Sequence, residues 1–145
     1  MIDRPTRSAL VLAAALLSLA LSAGAQQTTV KKGPIKNSNP ASGSEMFKQY
    51  CAVCHGPDAK GDGPAASSLT VAPPDLTTLA KRHDGKFPDD YVANVLRNGA
   101  KAPAHGTAEM PIWGPLFATM SGGDEAQVTM RISNLTKYIK SLQQK

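Results

Sequence analysis

Cys51-Ala52-Val53-Cys54-His55 sets two thiols three residues apart and an imidazole directly after the second. On one turn of helix the two sulfurs face the same way. Each can then form a thioether with one vinyl group of the same porphyrin, and His55 is carried under the iron as its proximal ligand. C-x-x-C-H is the attachment pattern of covalent haem, and it uses both cysteines of the chain. A thioredoxin-like redox pair belongs in a βαβ context, which is absent. A structural zinc site needs two further ligands at matching spacing, and no second C-x-x-C or His-x-x-x-His supplies them.

The rest of the composition suits a fold built around a cofactor. A chain of 145 residues is one domain by length, yet it has three Phe, three Tyr and one Trp with which to build a core. A buried porphyrin supplies the missing apolar surface. The formal charge of +5 is spread along the chain, which argues against nucleic-acid binding. The excess of lysine suits docking to proteins with acidic surfaces.

Outward from the motif, residues 1–25 read as a signal peptide. Arg4 and Arg7 make a basic start, Ala9–Leu21 is apolar, and Ala23-Gly24-Ala25 is a small-x-small cleavage pattern with the cut after Ala25. The apolar run is shorter than the about 20 residues of a membrane span, so no stable span is expected after signal removal. Residues 26–41 form a polar arm with Gly33, Pro34 and Pro40, expected to be flexible. The folded domain is expected over 42–145.

That domain reads as all-α. Ser42-Gly43-Ser44-Glu45 matches a capping box. Phe47, Tyr50, Cys51 and Cys54 follow as one apolar stripe, so the cysteines end an amphipathic helix. A proline- and glycine-rich loop runs from Asp58 to Pro74, and Asp75 is a cap for a short helix through Leu76, Leu79 and Ala80. Pro88-Asp89-Asp90 opens a helix in which Val92, Val95 and Leu96 share a face, and Gly99 is its stop. Lys101–Gly114 is a second loop, Pro115–Met120 a short helix, and Gly122-Gly123 a break. Asp124–Leu142 is the clearest helix, with Val128, Ile132, Leu135, Ile139 and Leu142 in helical register.

Taken in order, Gly43-x-x-x-Phe47, Cys51-Ala52-Val53-Cys54-His55-Gly56, Gly61-Asp62-Gly63-Pro64, Pro73-Pro74-Asp75-Leu76-Thr77, Met110-Pro111-Ile112-Trp113-Gly114 and Leu135-Thr136-Lys137-Tyr138-Ile139 resemble a class I c-type cytochrome, specifically the small monohaem bacterial periplasmic kind. The likeness covers about residues 42–145. It implies the cytochrome c fold, with N- and C-terminal helices crossing beside one covalent haem c, where Gly43 and Phe47 meet Tyr138 and Leu135. It also places the second iron ligand at the methionine of Met110-Pro111.

Met110 is accordingly the expected distal ligand. Its thioether is a soft neutral donor, and Pro111 biases it toward extended geometry. Met46, Met120 and Met130 read as packing residues, and His105 and His83 are the rival ligands. A carbonyl orienting His55 is expected from Pro64, with Pro73 as rival. Trp113 and Arg97 are candidates for bonding the haem propionates, and Lys48, Lys60 and Lys101 for steering a partner.

The expectation is a periplasmic electron carrier, not an enzyme, exchanging single electrons with redox partner proteins through His55/Met110-ligated iron. A permanently bound haem subunit of a periplasmic dehydrogenase or oxidase complex is the alternative. A haem enzyme or gas sensor with an open iron site is the third reading. Replacing Cys51 and Cys54 together by Ala should abolish haem staining of the band on a denaturing gel. A stained band at the mature mass from the double variant would overturn the attachment assignment.

Overall fold

In a computed structural model the described residues are 36–99 and 110–144. The signal peptide, most of the arm, Lys101 and His105 lie outside them. Helix α1 is Gly43–Met46, followed by a π-helical turn at Phe47–Cys51 and by α2 at Ala52–His55. Short 3-10 turns at Ala66–Ser68, Leu76–Thr78 and Lys81–His83 punctuate the next stretch. Helix α3 is Asp89–Asn98, α4 is Trp113–Met120 and α5 is Glu125–Ser141. The described residues are all-helical, with no strand among them.

The helix that leads into the cysteines starts on the expected cap, with one change. Glu45 donates its amide to Ser42 Oγ at 3.2 Å. The Glu45 carboxylate reaches past the cap and accepts from the Asn39 amide at 3.3 Å, because Ser42 N–H is already donated to the Asn39 carbonyl. A larger departure lies one turn on. The single amphipathic helix expected here is interrupted by the π turn, in which the Ala52 amide bonds the Phe47 carbonyl. An extra residue in the turn lets Met46, Phe47, Tyr50 and Cys51 all be buried, a wider apolar face than the periodicity indicated.

Helix α5 supplies the surface that this face packs on. Asp124 caps it, accepting from the amides of Ala126 at 2.9 Å and Gln127 at 3.3 Å. Val128, Ile132, Leu135 and Ile139 are buried on the expected stripe, and Leu142 is half-buried. Met130 was expected to pack but is 39% exposed, since its register places it on the opposite side of α5 from that stripe. Met46, by contrast, is fully buried.

The terminal helices cross at a glycine. A Cβ on Gly43 would overlap the Asn134 carbonyl and stand 2.8 Å from Tyr138 Cβ. Next to that close approach, the Phe47 and Tyr138 rings are 5.4 Å apart and tilted by 53°, within the range of about 4.5–7 Å for interacting aromatic pairs. Leu135, with no exposed surface, belongs to the same buried cluster. The pairing implied by the family resemblance is thus the pairing present.

Between these helices, Asp75 caps the Leu76–Thr78 turn, accepting from Thr77 N at 2.8 Å and Thr77 Oγ1 at 2.6 Å. These bonds hold its carboxyl below the usual carboxylate range, the Thr77 hydroxyl contributing most. Helix α3 runs to Gly99 with Val92 and Leu96 buried and Val95 half-buried. Helix α4 begins two residues earlier than expected, at Trp113, so that Trp113 and Phe117 both enter the core.

The crossing gives a stability test. Leu135→Ala should cost about 2–5 kcal/mol. Gly43→Ala should cost about 1–3 kcal/mol by overpacking, although alanine is the better helix former. Met130→Ala should stay within about 0.5 kcal/mol of the parent. Chemical denaturation of the holoprotein measures all three, and a neutral Gly43→Ala would show that the helices do not need the close approach.

Candidate haem site

The attachment helix is short, and the loop after it finishes its hydrogen bonding. The carbonyls of Val53, Cys54, His55 and the cap Gly56 accept amides from Ala65 (2.9 Å), Gly63 (3.0 Å), Gly61 (2.8 Å) and Ala59 (3.1 Å). These are the orphan acceptors of a helix end, and each is satisfied. The chain then returns so that the Pro73 carbonyl packs directly on Gly61, whose φ of +85° suits glycine. Ala59, buried in the left-handed region at φ 61°, accepts the Leu76 amide at 2.8 Å and joins the loop to the next segment.

This return brings a carbonyl to His55, and it comes from Pro74. His55 Nδ1 stands 3.3 Å from the Pro74 oxygen. A carbonyl only accepts, so Nδ1 carries the proton and Nε2 keeps its lone pair for a metal. The expectation of Pro64, or else Pro73, is corrected. The stretch Gly61–Ala65 turns its amides toward the helix end, and the chain meets the imidazole only on its second pass. Burial keeps the His55 pKa below that of a free imidazole, opposed by the Pro74 bond.

Cys51, Cys54 and His55 open on one cavity of about 1200 Å³, mouth included. Its apolar lining includes Leu76, Leu79, Val92, Leu96 and Ile139, and Met110, Pro111 and Trp113 also line it. The two cysteines are not joined by a disulfide. Burial pushes the Cys51 thiol up to about 12, with Cys54 adding to the effect. A site that holds this sulfur neutral suits a thioether.

The other candidates separate cleanly. Met110 lines the cavity, whereas Met46, Met120 and Met130 do not. His83 lies on an exposed turn and does not line the cavity, its ring 6.0 Å from that of cavity-lining Tyr91. Trp113 is buried in the cavity wall, its ring 5.4 Å from that of Tyr50. Arg97 is spent elsewhere: Nη1 pairs with Glu125 at 3.1 Å and Nη2 donates to Thr129 Oγ1 at 2.8 Å. The arginine that does line the cavity is Arg82, whose Nη2 donates to the Asp75 carbonyl at 2.6 Å. Sequence reasoning missed it, because Lys81-Arg82-His83 reads as an ordinary exposed turn. Lys48 and Lys60 are exposed near the attachment segment.

The donor set fits a covalently attached haem: two thiols on one helical turn, an imidazole with Nε2 available, a thioether and an apolar enclosure, all on one cavity. Comparison with known proteins agrees. Residues 40–143 match the family model described as Cytochrome c. Neither a curated protein nor a solved structure matches the chain. Proteins of the matched family bind haem c covalently through cysteine and carry electrons. The match spans most of the sequence, including the Cys51–His55 motif, and the chain belongs to the cytochrome c family.

Proposed function

We propose that this cytochrome is a periplasmic one-electron carrier whose iron is held by His55 and Met110. The observation that carries the reading is the convergence of Cys51, Cys54, His55 and Met110 on one apolar cavity. Haem c bound there supplies the chemistry, an iron that alternates between ferric and ferrous states.

The chain's residues do the remaining work. Cys51 and Cys54 fasten the group through thioethers, so it stays in place in both redox states. His55 donates Nδ1–H to Pro74 and presents Nε2, its ring orientation fixed by the loop tied to α2. Met110 offers a soft neutral sulfur, which favours the reduced state, and Pro111 restricts its backbone. With both ligand positions filled by protein there is no open position for a substrate, which favours a carrier over an enzyme. Arg82 at the cavity offers a counter-charge to acidic groups on the porphyrin, and buried Trp113 lines the same cavity as Met110.

Delivery and partners rest on the sequence. The leader at 1–25, which lies outside the described residues, supports export to the periplasm. No described helix is long and apolar enough to cross a membrane. Exposed Lys48, Lys60, Lys81 and Lys86 favour redox partners with acidic docking surfaces.

The ligand assignment is tested by two alanine variants. Ferric parent protein should show the weak long-wavelength absorbance of a sulfur–iron bond. Met110→Ala should lose it and fall in potential. Met120→Ala, half-buried against the core, should keep it and lose about 2 kcal/mol of stability or less. The reverse pattern would show that Met120 is the ligand and Met110-Pro111 merely a turn.

A further inference from the structure

Arg131 is the largest of the fully buried side chains, 2% exposed on the inner side of α5. A guanidinium keeps its charge in a protein, and buried charges are ordinarily paired. Here the bonded partners are neutral. Nη1 donates to the Ser38 carbonyl at 3.1 Å and to Ser38 Oγ at 3.2 Å. Nη2 donates to Asn37 Oδ1 at 2.9 Å, and Nε to Ser121 Oγ at 3.4 Å. Among the described residues no carboxylate stands at ion-pair distance from it.

This cation stands directly behind the cavity wall. Its guanidinium carbon is 5.8 Å from the Phe117 centroid. Phe117 in turn stacks 6.1 Å from Tyr50 and 5.6 Å from Trp113, both cavity-lining. Tyr50 Oη is hydrogen-bonded to Ser38 Oγ at 2.8 Å and donates to the Lys36 carbonyl at 2.7 Å. One serine hydroxyl therefore joins the buried charge to a ring of the haem cavity.

We propose that Arg131 is a potential-setting residue, its buried positive charge favouring the ferrous state of the haem that this cavity holds. The inference rests on the carrier reading above. In the couple concerned, ferric iron takes one electron from a redox partner protein and becomes ferrous. The site loses one positive charge, no bond is made or broken, and Arg131 keeps its protons throughout. Repulsion between the guanidinium and the extra ferric charge is thereby relieved on reduction. At an effective dielectric constant of about 20, a tenfold change in the ferrous-to-ferric ratio corresponds to two unit charges roughly 12 Å apart, and that is the size of effect to look for.

The test is potentiometric titration of the holoprotein, with dithionite and mediators as the electron source. Arg131→Gln should lower the ferrous-to-ferric ratio at fixed ambient potential about tenfold, ~59 mV for one electron. Arg131→Lys, which restores the charge, should lie near the parent. Ser38→Asp sets a carboxylate against Nη1 and should lower the ratio with Arg131 still in place. All three should retain the sulfur–iron absorbance, which separates a charge effect from loss of a ligand. An unchanged ratio in Arg131→Gln, or a fall in Arg131→Lys as large as in Arg131→Gln, would overturn the proposal. If Arg131→Gln does not retain haem, Ser38→Asp decides: a fall supports the proposal and an unchanged ratio overturns it. A parent protein without any reversible one-electron couple would instead remove the carrier reading, and this one with it.

Discussion

Four backbone carbonyls at the end of a four-residue helix organise this molecule. Those of Val53, Cys54, His55 and the cap Gly56 sit where a helix runs out of its own donors, and all four are met by amides between Ala59 and Ala65. Leaving one such group buried and unpaired costs about 1–3 kcal/mol, so the loop is bound to the helix as one unit. The attachment residues thus belong to a rigid knot of chain although α2 is too short to be stable alone. Everything on the His55 side follows from that knot. It brings Pro73 onto Gly61, Pro74 onto the imidazole, and Leu76 into hydrogen-bond contact with Ala59.

The knot needs a second support, and the C-terminal end of the chain supplies it. Gln143 donates to the Leu76 carbonyl at 2.7 Å and accepts the Ala80 amide at 2.8 Å. Gln144 donates its amide to the Thr77 carbonyl at 2.9 Å. The segment that carries the His55 partner is therefore fastened at both ends, to the attachment loop and to the residues just beyond α5. Because α5 also crosses α1 at Gly43, the N-terminal helix, the proximal loop and the C-terminus are coupled through one packing arrangement. Electron transfer benefits from such stiffness, since ligands that shift little between redox states require little reorganisation of the protein.

Side-chain patterns made much of this legible. The spacing Cys51-x-x-Cys54-His55 announced the cofactor, and the register of Val128, Ile132, Leu135 and Ile139 announced the helix that supports it. Asp75 and Asp124 signalled element starts because their carboxylates have a local job. What stayed hidden depended on backbone or on tertiary accident. The Pro74 carbonyl carries no sequence signal that sets it apart from Pro64 or Pro73. The π turn at Phe47–Cys51 is a one-residue slip that periodicity counts pass over. Arg131 occupies a position one residue from a buried isoleucine and reads as the solvated edge of a stripe, yet it is buried because Asn37 and Ser38 fold over it. Arg82 and Arg97 exchanged places for the same reason: which arginine reaches the cavity depends on how the turn at Lys81–His83 sits, not on its composition.

In the function proposed, the protein fills both ligand positions of one haem, so that the iron changes valence and binds nothing. Addition of carbon monoxide to the reduced holoprotein at neutral pH tests it directly. If His55 and Met110 both hold the iron, as proposed, the absorption spectrum should not change on mixing. Rapid formation of a carbon monoxide adduct would contradict it and would mark the chain as a haem protein with an open site.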